Sequence, residues 1–321
     1  MRKNILTIAT GKSVYIDMAV NLIRSFLWWH PSTSINVQLV TDRPELLPAG
    51  IVDKIEIIQI QLNQYGIGFS TKLYLDEFAK DGQTLFIDSD CLIFGSLEFL
   101  FEKFKGNTVS VIGGYINNGE WFGDIKKICA SYRIEKLPKF NGGIYYLEKG
   151  DLATKVYNDA RAIEKLYDEI GFVRLRAQPN DEVIMALAMQ LNNQKPITDD
   201  GRIMSDLQSC QGPYILNVID GTAKLNNPPY PDPKHQNWYP FEKVSPIIVH
   251  FLGDYTSEYK YKLESYKLNL ALSKKLNILS MIKINIKIKY TGLFRVFLKN
   301  TFRPLYRKLF GFREIKASKR N

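Results

Sequence analysis

The stretch "TLFIDSDCLIFGSLEFLF", residues 84–101, sets two carboxylates in the middle of an apolar run. Leu85, Phe86 and Ile87 precede Asp88, only Ser89 separates it from Asp90, and Cys91, Leu92, Ile93 and Phe94 follow. A buried charge is costly unless it is paired or binds a metal, so the pair needs a partner. In an extended segment residues two apart point the same way, which predicts one shared target for Asp88 and Asp90. Two carboxylates suit a hard cation, Mg²⁺ or Mn²⁺, with phosphate and water oxygens completing its shell. The plain alternative is a pair of solvated acids at a strand end.

The surrounding pattern favours a strand end that faces a ligand. "NILTIAT" and "INVQLVTD" read as strands, with "YIDMAVNLIRSFLWWH" as a helix between them. "VDKIEIIQI" reads as a third strand and "STKLYLDEFAK", residues 70–80, as a helix with a Ser/Thr start. Then comes "TLFIDSD". Strands alternating with helices imply a mostly parallel α/β sheet covered on both faces. In open sheets of that kind ligands bind beyond the carboxyl ends of the strands. Further on, "VSVIGGY", "GGIYYLEKG" and "SPIIVHF" read as strands, "TKVYNDARAIEKLYDEI" and "NDEVIMALAMQL" as helices, and 224–240 as a Pro- and Asn-rich loop.

Composition bounds the rest. The 321 residues are enough for one large or two ordinary domains. Cys91, Cys129 and Cys210 are an odd, scattered set without metal spacing, which points to a reducing compartment. The N-terminus reads as a first strand and not as a signal peptide, and no stretch is long and apolar enough to span a bilayer. The net charge of +10 is uneven: residues 274–321 hold fourteen Lys or Arg and one acid, Glu314, so the tail carries +13 and the rest of the chain −3. The expected organisation is a body at 1–273 and a basic appendage at 274–321.

Two motifs fail on inspection. "GKS" at 11–13 lacks the P-loop glycine five places earlier, where Leu6 stands, and "GIG" at 66–68 lacks the third glycine of a dinucleotide fingerprint, where Thr71 stands. Other candidates keep two readings. His250 closes "SPIIVH" either as a half-buried core histidine or as a nitrogen ligand, which would favour Mn²⁺ over Mg²⁺. In "KFNGGIYYLEKGDL" the glycines that follow Asn141 either make a turn into a strand or let the backbone approach a ligand. Asn180 suits an N-cap, and Asp181 and Glu182 suit a first helical turn, where a carboxylate is also well placed to face a sugar.

"STKLYLDEF", "LFIDSDCLIFGSL", "FNGGIYYL", "NDEVIMAL" and "HFLGDY", in that order across residues 4–255, resemble a glycosyltransferase of the GT-A fold. They are most similar to the retaining family 8 enzymes, which include lipopolysaccharide galactosyltransferases and glycogenin. The resemblance implies a Mn²⁺ (or Mg²⁺) held by Asp88, Asp90 and His250 and bridging the diphosphate of a nucleotide sugar, such as a UDP-hexose. It implies Lys72 beside the nucleotide and the D-x-D pair, Asn141 and Gly142 along the donor sugar, and Asp181, with its neighbour Asn180, beneath the anomeric carbon. It also implies transfer with retention to a glycan or lipid-linked acceptor in cell-surface polysaccharide or lipopolysaccharide synthesis. There are departures. No Lys-Pro-Trp follows His250, with Lys260 a distant substitute, and "ATGKSVY" lacks the usual acidic nucleotide contact, leaving Thr10 for that place. The family of the blood-group transferases shares parts of the pattern.

Two other classes compete. A haloacid-dehalogenase-type phosphatase carries D-x-D after an apolar run, and "ITDDG" at 197–201 would supply its later acids, but its D-x-D sits on the first strand. The other is an inactive membrane-associated binding protein. In "GLFRVFLKNTFRPLYRKLFGF", residues 292–312, apolar and basic residues recur at three- and four-residue spacing, with Pro304 as a kink. This predicts a basic amphipathic segment on an anionic membrane surface, with the protein cytoplasmic and peripheral on the inner face. A helix docked on the body is the alternative, and no nucleic-acid motif is present. "KINIKIK", residues 283–289, alternates with period two and fits a strand or a helix.

Overall fold

The computed structural model describes residues 1–232, 235 and 242–311. The chain begins with β1 (Lys3–Ala9), α1 (Ser13–Trp29), β2 (Asn36–Thr41), the single turn α2 (Ala49–Val52) and β3 (Glu56–Gln59). It continues through α3 (Leu75–Phe78), β4 (Gln83–Ile87), β5 (Cys91–Ile93), α4 (Glu98–Phe104), β6 (Val109–Ile116), α5 (Ile125–Tyr132) and β7 (Leu137–Glu148). One sheet runs β3-β2-β1-β4-β7-β6. Strands β1 to β4 are parallel, β7 is antiparallel to β4, and β6 is antiparallel to β7. Only β7 is reversed, so this is the mostly parallel α/β sheet expected.

The central strands read as unbroken apolar runs because both of their faces are covered. All five residues of β4 are buried. Alternation divides them between two cores. Leu6 and Phe86 pack with Tyr145 and the residues of α8 (Asp181–Leu191) on one side. Ile5, Leu85 and Ile87 pack with α1 on the other. Helix α6 (Asp151–Lys165) and the turn α7 (Tyr167–Ile170) complete the first layer.

A second sheet pairs β5 with β12 (Ile248–His250) and β12 with β8 (Met204–Asp206). A third consists of β9 (Gln211–Asn217), β10 (Thr222–Asn226) and β11 (Lys243–Val244). The stretch 84–101 is therefore not one core strand. It leaves the large sheet at Ile87 and enters the small one at Cys91, with the two acids on the corner.

Other elements depart from the sequence reading. Residues 68–74 form 3₁₀ turns and only α3 is α-helical; Arg161 donates to the Leu73 carbonyl at 2.8 Å where the two meet. Lys224–Asn226 lie in β10, so the Pro-rich loop starts later; 233, 234 and 236–241 are outside the described residues. Asn141 and the glycines after it lie inside β7 and are not a turn entering it. There the register with β6 shifts: Phe140 faces Gly113 and Tyr145 faces Val111, leaving Asn141–Ile144 as a bulge. Bulges free backbone groups and re-aim side chains. After α9 (Tyr259–Leu272), residues 278–310 are helical throughout as α10 (Ile278–Ile284), a π-helical turn and α11 (Thr291–Phe310), so 283–289 is helix. Among the described residues no helix is long and apolar enough to cross a membrane.

Phe104 of α4 is fully buried and stacks on Tyr146 of β7, with ring centroids 4.7 Å apart and planes 3° apart. Phe104→Ala should lower unfolding stability by about 3–5 kcal/mol, measured as a lower urea midpoint with an unchanged slope.

Candidate active site

Asp88, Ser89 and Asp90 make a turn and not the extended segment expected: the Cys91 N–H donates to the Asp88 carbonyl at 3.0 Å. The acids converge for another reason. Asp88 is tied to the large sheet, where its N–H donates to the Gly143 carbonyl at 2.9 Å. Asp90 is tied to the small sheet, where its carbonyl accepts the Phe251 N–H at 3.0 Å. The antiparallel register of β5 and β12 puts Cys91 opposite His250. His250 Nε2 then lies 2.8 Å from Asp90 Oδ1 and 3.8 Å from Asp88 Oδ2.

The neighbours of His250 set its tautomer. Asn141 Oδ1 accepts the Gly143 N–H at 3.0 Å, which fixes it as the carbonyl oxygen. The same oxygen is 2.9 Å from His250 Nδ1, so Nδ1 carries a proton and donates. In the neutral ring Nε2 therefore directs a lone pair at a carboxylate oxygen 2.8 Å away. In that state Nε2 is a buried atom without a hydrogen-bond partner among the described residues, and the Asp90 contact is an ion pair once the ring is protonated. Two lone pairs so close repel each other unless positive charge joins them, either a proton on Nε2, which makes the pair a salt bridge, or a cation bound by both atoms. Burial disfavours the imidazolium, yet Asp90, Asp88 and Asp206 prevail and raise the His250 pKa. One nitrogen and two carboxylates fit a divalent cation. Asp90, Cys91 and His250 also bring one ligand atom each within 4.8 Å of one another.

Asn141 has a role here besides the one the resemblance implied. Its side-chain carbonyl orients the imidazole, as outer partners of metal-binding histidines do. Gly143 has to be small: a Cβ there would lie 2.6 Å from His250 Nδ1. At Gly142 a Cβ would lie 3.0 Å from Asp181 Oδ2 and 3.1 Å from Glu182 Cγ.

Lys72 stands beside the acids as expected. Its ammonium donates to Asp88 Oδ2 at 2.8 Å and to the Gly142 carbonyl at 2.9 Å, and lies 3.4 Å from Asp181 Oδ2. Burial works against this charge, but Asp181 and Asp88 raise its pKa above the ordinary lysine value. Burial raises the Asp88 pKa, with Lys72 opposing and Asp90 adding to the rise.

At the start of α8 three neighbours divide the work. Asn180 is a cap: Oδ1 accepts the N–H groups of Glu182 at 3.0 Å and Val183 at 3.3 Å. That commits its carbonyl oxygen to the helix rather than to chemistry. Asp181 is buried and accepts the Tyr145 hydroxyl at 2.6 Å. Glu182, read from sequence only as a helix-start acid, reaches back so that Oε1 accepts the Gly142 N–H at 2.7 Å. Burial, then Asp181, pushes its pKa up to about 7. The sequence reading misses Tyr145 and Gly143 as site residues, although Asn141, Gly143 and Tyr145 alternate along β7.

Other candidates lie elsewhere. Thr10 follows β1 on the same sheet edge, where the Gly11 N–H donates to Asp42 Oδ1 at 2.9 Å; among the described residues no contact joins Thr10 to the acidic cluster. Lys260 Nζ is 2.9 Å from Glu258 Oε2 and lies over the Tyr214 ring. The acids at 199–200 are structural. Both Asp199 oxygens accept backbone N–H groups of residues 201–204, and Asp200 pairs with Arg202 and Lys103. A phosphatase site with these as later acids is not formed.

No family model matches the chain, and no curated protein matches it. Similar solved structures include the galactosyltransferase LgtC in complex with donor and acceptor sugar analogues, at 17% identity and TM-score 0.48, over 64% of this chain and 76% of that one. The glycosyltransferase GlyE of Streptococcus pneumoniae TIGR4 matches at 14% identity and TM-score 0.42, over 63% and 46%. Mouse xyloside xylosyltransferase 1 matches at 11% identity and TM-score 0.42, over 64% and 88%.

The Glu182 shift has a consequence for stability. Its folded pKa of about 7 stands above the ordinary 4.5. Between those values the folded state keeps a proton that the unfolded chain has lost, so stability falls as pH rises through the window and levels off above it. Denaturant unfolding in chelator at several pH values should show this fall. The difference between wild type and Glu182→Gln should change by on the order of 2 kcal/mol between pH 4.5 and 7. A pH-independent difference would contradict the assignment.

Proposed function

We propose that the protein is a metal-dependent glycosyltransferase that moves a sugar from a nucleotide-diphosphate donor to a glycan or lipid-linked acceptor. The observation that carries this reading is the buried His250 Nε2 with no hydrogen-bond partner among the described residues, facing Asp90 and Asp88 where the chain leaves β4. Asp88, Asp90 and His250 would hold a divalent cation, with the imidazole favouring Mn²⁺ over Mg²⁺. When bound, that cation supplies positive charge to the diphosphate leaving group as the sugar–phosphate bond breaks. The family 8 resemblance of the five ordered motifs points the same way.

The chain's own groups fit the remaining needs. Lys72 keeps a second positive charge beside Asp88. Tyr145 and Lys72 hold the Asp181 carboxylate, which lies too deep to be reached directly and serves to position its neighbours. Glu182 is less buried, beside the backbone of Gly142, where a sugar can approach closely. In this reading Glu182, rather than Asn180, is the polar group presented to the donor sugar. With a pKa near neutrality it can both accept and donate hydrogen bonds to hydroxyls.

Asp90→Asn should cut turnover by at least about 100-fold with the fold retained, since it removes a ligand charge. Excess chelator should have the same effect on wild type, and Mn²⁺ should restore it. Nucleotide-sugar hydrolysis or transfer, followed by released nucleoside diphosphate, measures both. Full turnover in chelator would overturn the metal assignment.

The resemblance further implies that the anomeric configuration is retained. Proton NMR of the first-formed product should show the donor's configuration. An inverted product would remove family 8 as a guide to the chemistry.

A further inference from the structure

We propose that the helix spanning 278–310 lies on an anionic lipid surface as a peripheral membrane-docking element. The inference goes beyond the transferase reading and does not depend on it. The helix is held against the body at two points. Ile284 is buried, and Gly292 sits so close to α9 that a Cβ there would collide with the Tyr259 side chain. Beyond that crossing α11 leaves the body, and none of its residues is buried. Its large apolar side chains stand in water: Phe294 is 60% exposed, Phe297 61%, Leu305 55% and Leu309 65%. A contiguous exposed apolar stripe of this kind marks an interaction surface.

The charge pattern selects the occupant. At 100° per residue, Phe294, Phe297, Leu298, Leu305 and Leu309 fall on one arc of α11, while Arg295, Lys299, Arg303 and Arg307 fall on the opposite side. No Asp or Glu occurs between 274 and 311. A second copy packed on the stripe would cover the apolar face but leave the basic row on the outside with no acids in 274–311 to pair it. A nucleic acid on the basic row would leave the Phe and Leu stripe in water. An anionic bilayer satisfies both faces at once: apolar side chains enter the acyl boundary while Lys and Arg meet the headgroups. Tyr259 follows His250 by nine residues, which limits the distance from the candidate site to the helix crossing to about 30 Å.

The test is flotation of the full chain with vesicles. It should float at low salt with vesicles of phosphatidylcholine containing one third phosphatidylglycerol, and not with phosphatidylcholine alone. Arg295→Gln, Lys299→Gln and Arg303→Gln made together should weaken binding about 100-fold. Phe297→Ser with Leu305→Ser should abolish flotation while leaving the thermal unfolding midpoint unchanged, because neither side chain is packed on the body. The proposal is overturned if the wild-type chain ignores anionic vesicles at low salt, or if the two sets of variants float as well as wild type. It is also overturned if light scattering shows a stable dimer that Phe297→Ser with Leu305→Ser dissolves, or if a single-stranded RNA oligonucleotide outcompetes the vesicles. None of these outcomes reads sugar transfer, so failure here and failure of the transferase reading are separable.

Discussion

The close approach of His250 Nε2 to Asp90 Oδ1 is the constraint on which the site depends. It places a ring nitrogen against a carboxylate inside the protein, a contact that stands only with positive charge shared by the two atoms, as a proton on Nε2 or as a bound cation. The surroundings leave the ring no escape. Asn141 fixes the Nδ1 side, Gly143 removes the Cβ that would push the ring away, and β12 is clamped between β5 and β8. A His placed for packing alone would need none of this. The bulge in β7 has the same logic. By breaking register with β6 it releases the backbone of Gly142, whose N–H goes to Glu182 and whose carbonyl goes to Lys72, while on the β4 side the Gly143 carbonyl takes the Asp88 N–H and the Gly143 N–H goes to Asn141.

Lys72 makes so many acids tolerable. Asp88, Asp90, Asp181 and Glu182 gather around one ammonium and one imidazole, and burial alone would protonate several of them. Lys72 lies within 3.4 Å of both Asp88 and Asp181. It links the turn after β4 to the start of α8, two elements far apart in sequence. Glu182 lies outside these contacts, and burial, then Asp181, pushes its carboxyl up to about 7.

The mostly parallel sheet and the strand-end position of Asp88 and Asp90 follow patterns that one sequence carries: apolar runs, alternation, and acids breaking a run; the places of Lys72 and His250 beside the acids come only from the resemblance of the ordered motifs. What the sequence hides is long-range or conformational. By alternation the D-x-D pair reads as two acids on one strand face, whereas the acids belong to a turn between two sheets. Nothing local distinguishes those cases, since "DSD" is equally at home in a strand end and a turn. Asn141 is hard to place because a bulge within β7 depends on its pairing with β6, and Gly-Gly signals a turn just as well. Glu182 escapes notice because a helix-start acid already has a sufficient local reason to be there. Its contact with Gly142 spans the gap between β7 and α8, and only the folded chain reveals it.

The corner at residues 88–90 explains why two sheets are needed. Asp88 follows the register of the large sheet, where Ile87 faces Ile144. Asp90 follows the register of the small one, where Cys91 faces His250. A strand register slip turns every side chain to the other face. In β4 such a slip would move Asp88 away from Lys72, and in β12 it would turn His250 from the acids into the core. The apolar run on either side of "DSD" is therefore not incidental to the carboxylates. Its burial fixes both registers, and the two registers together bring the side chains of residues 88, 90 and 250 to one point.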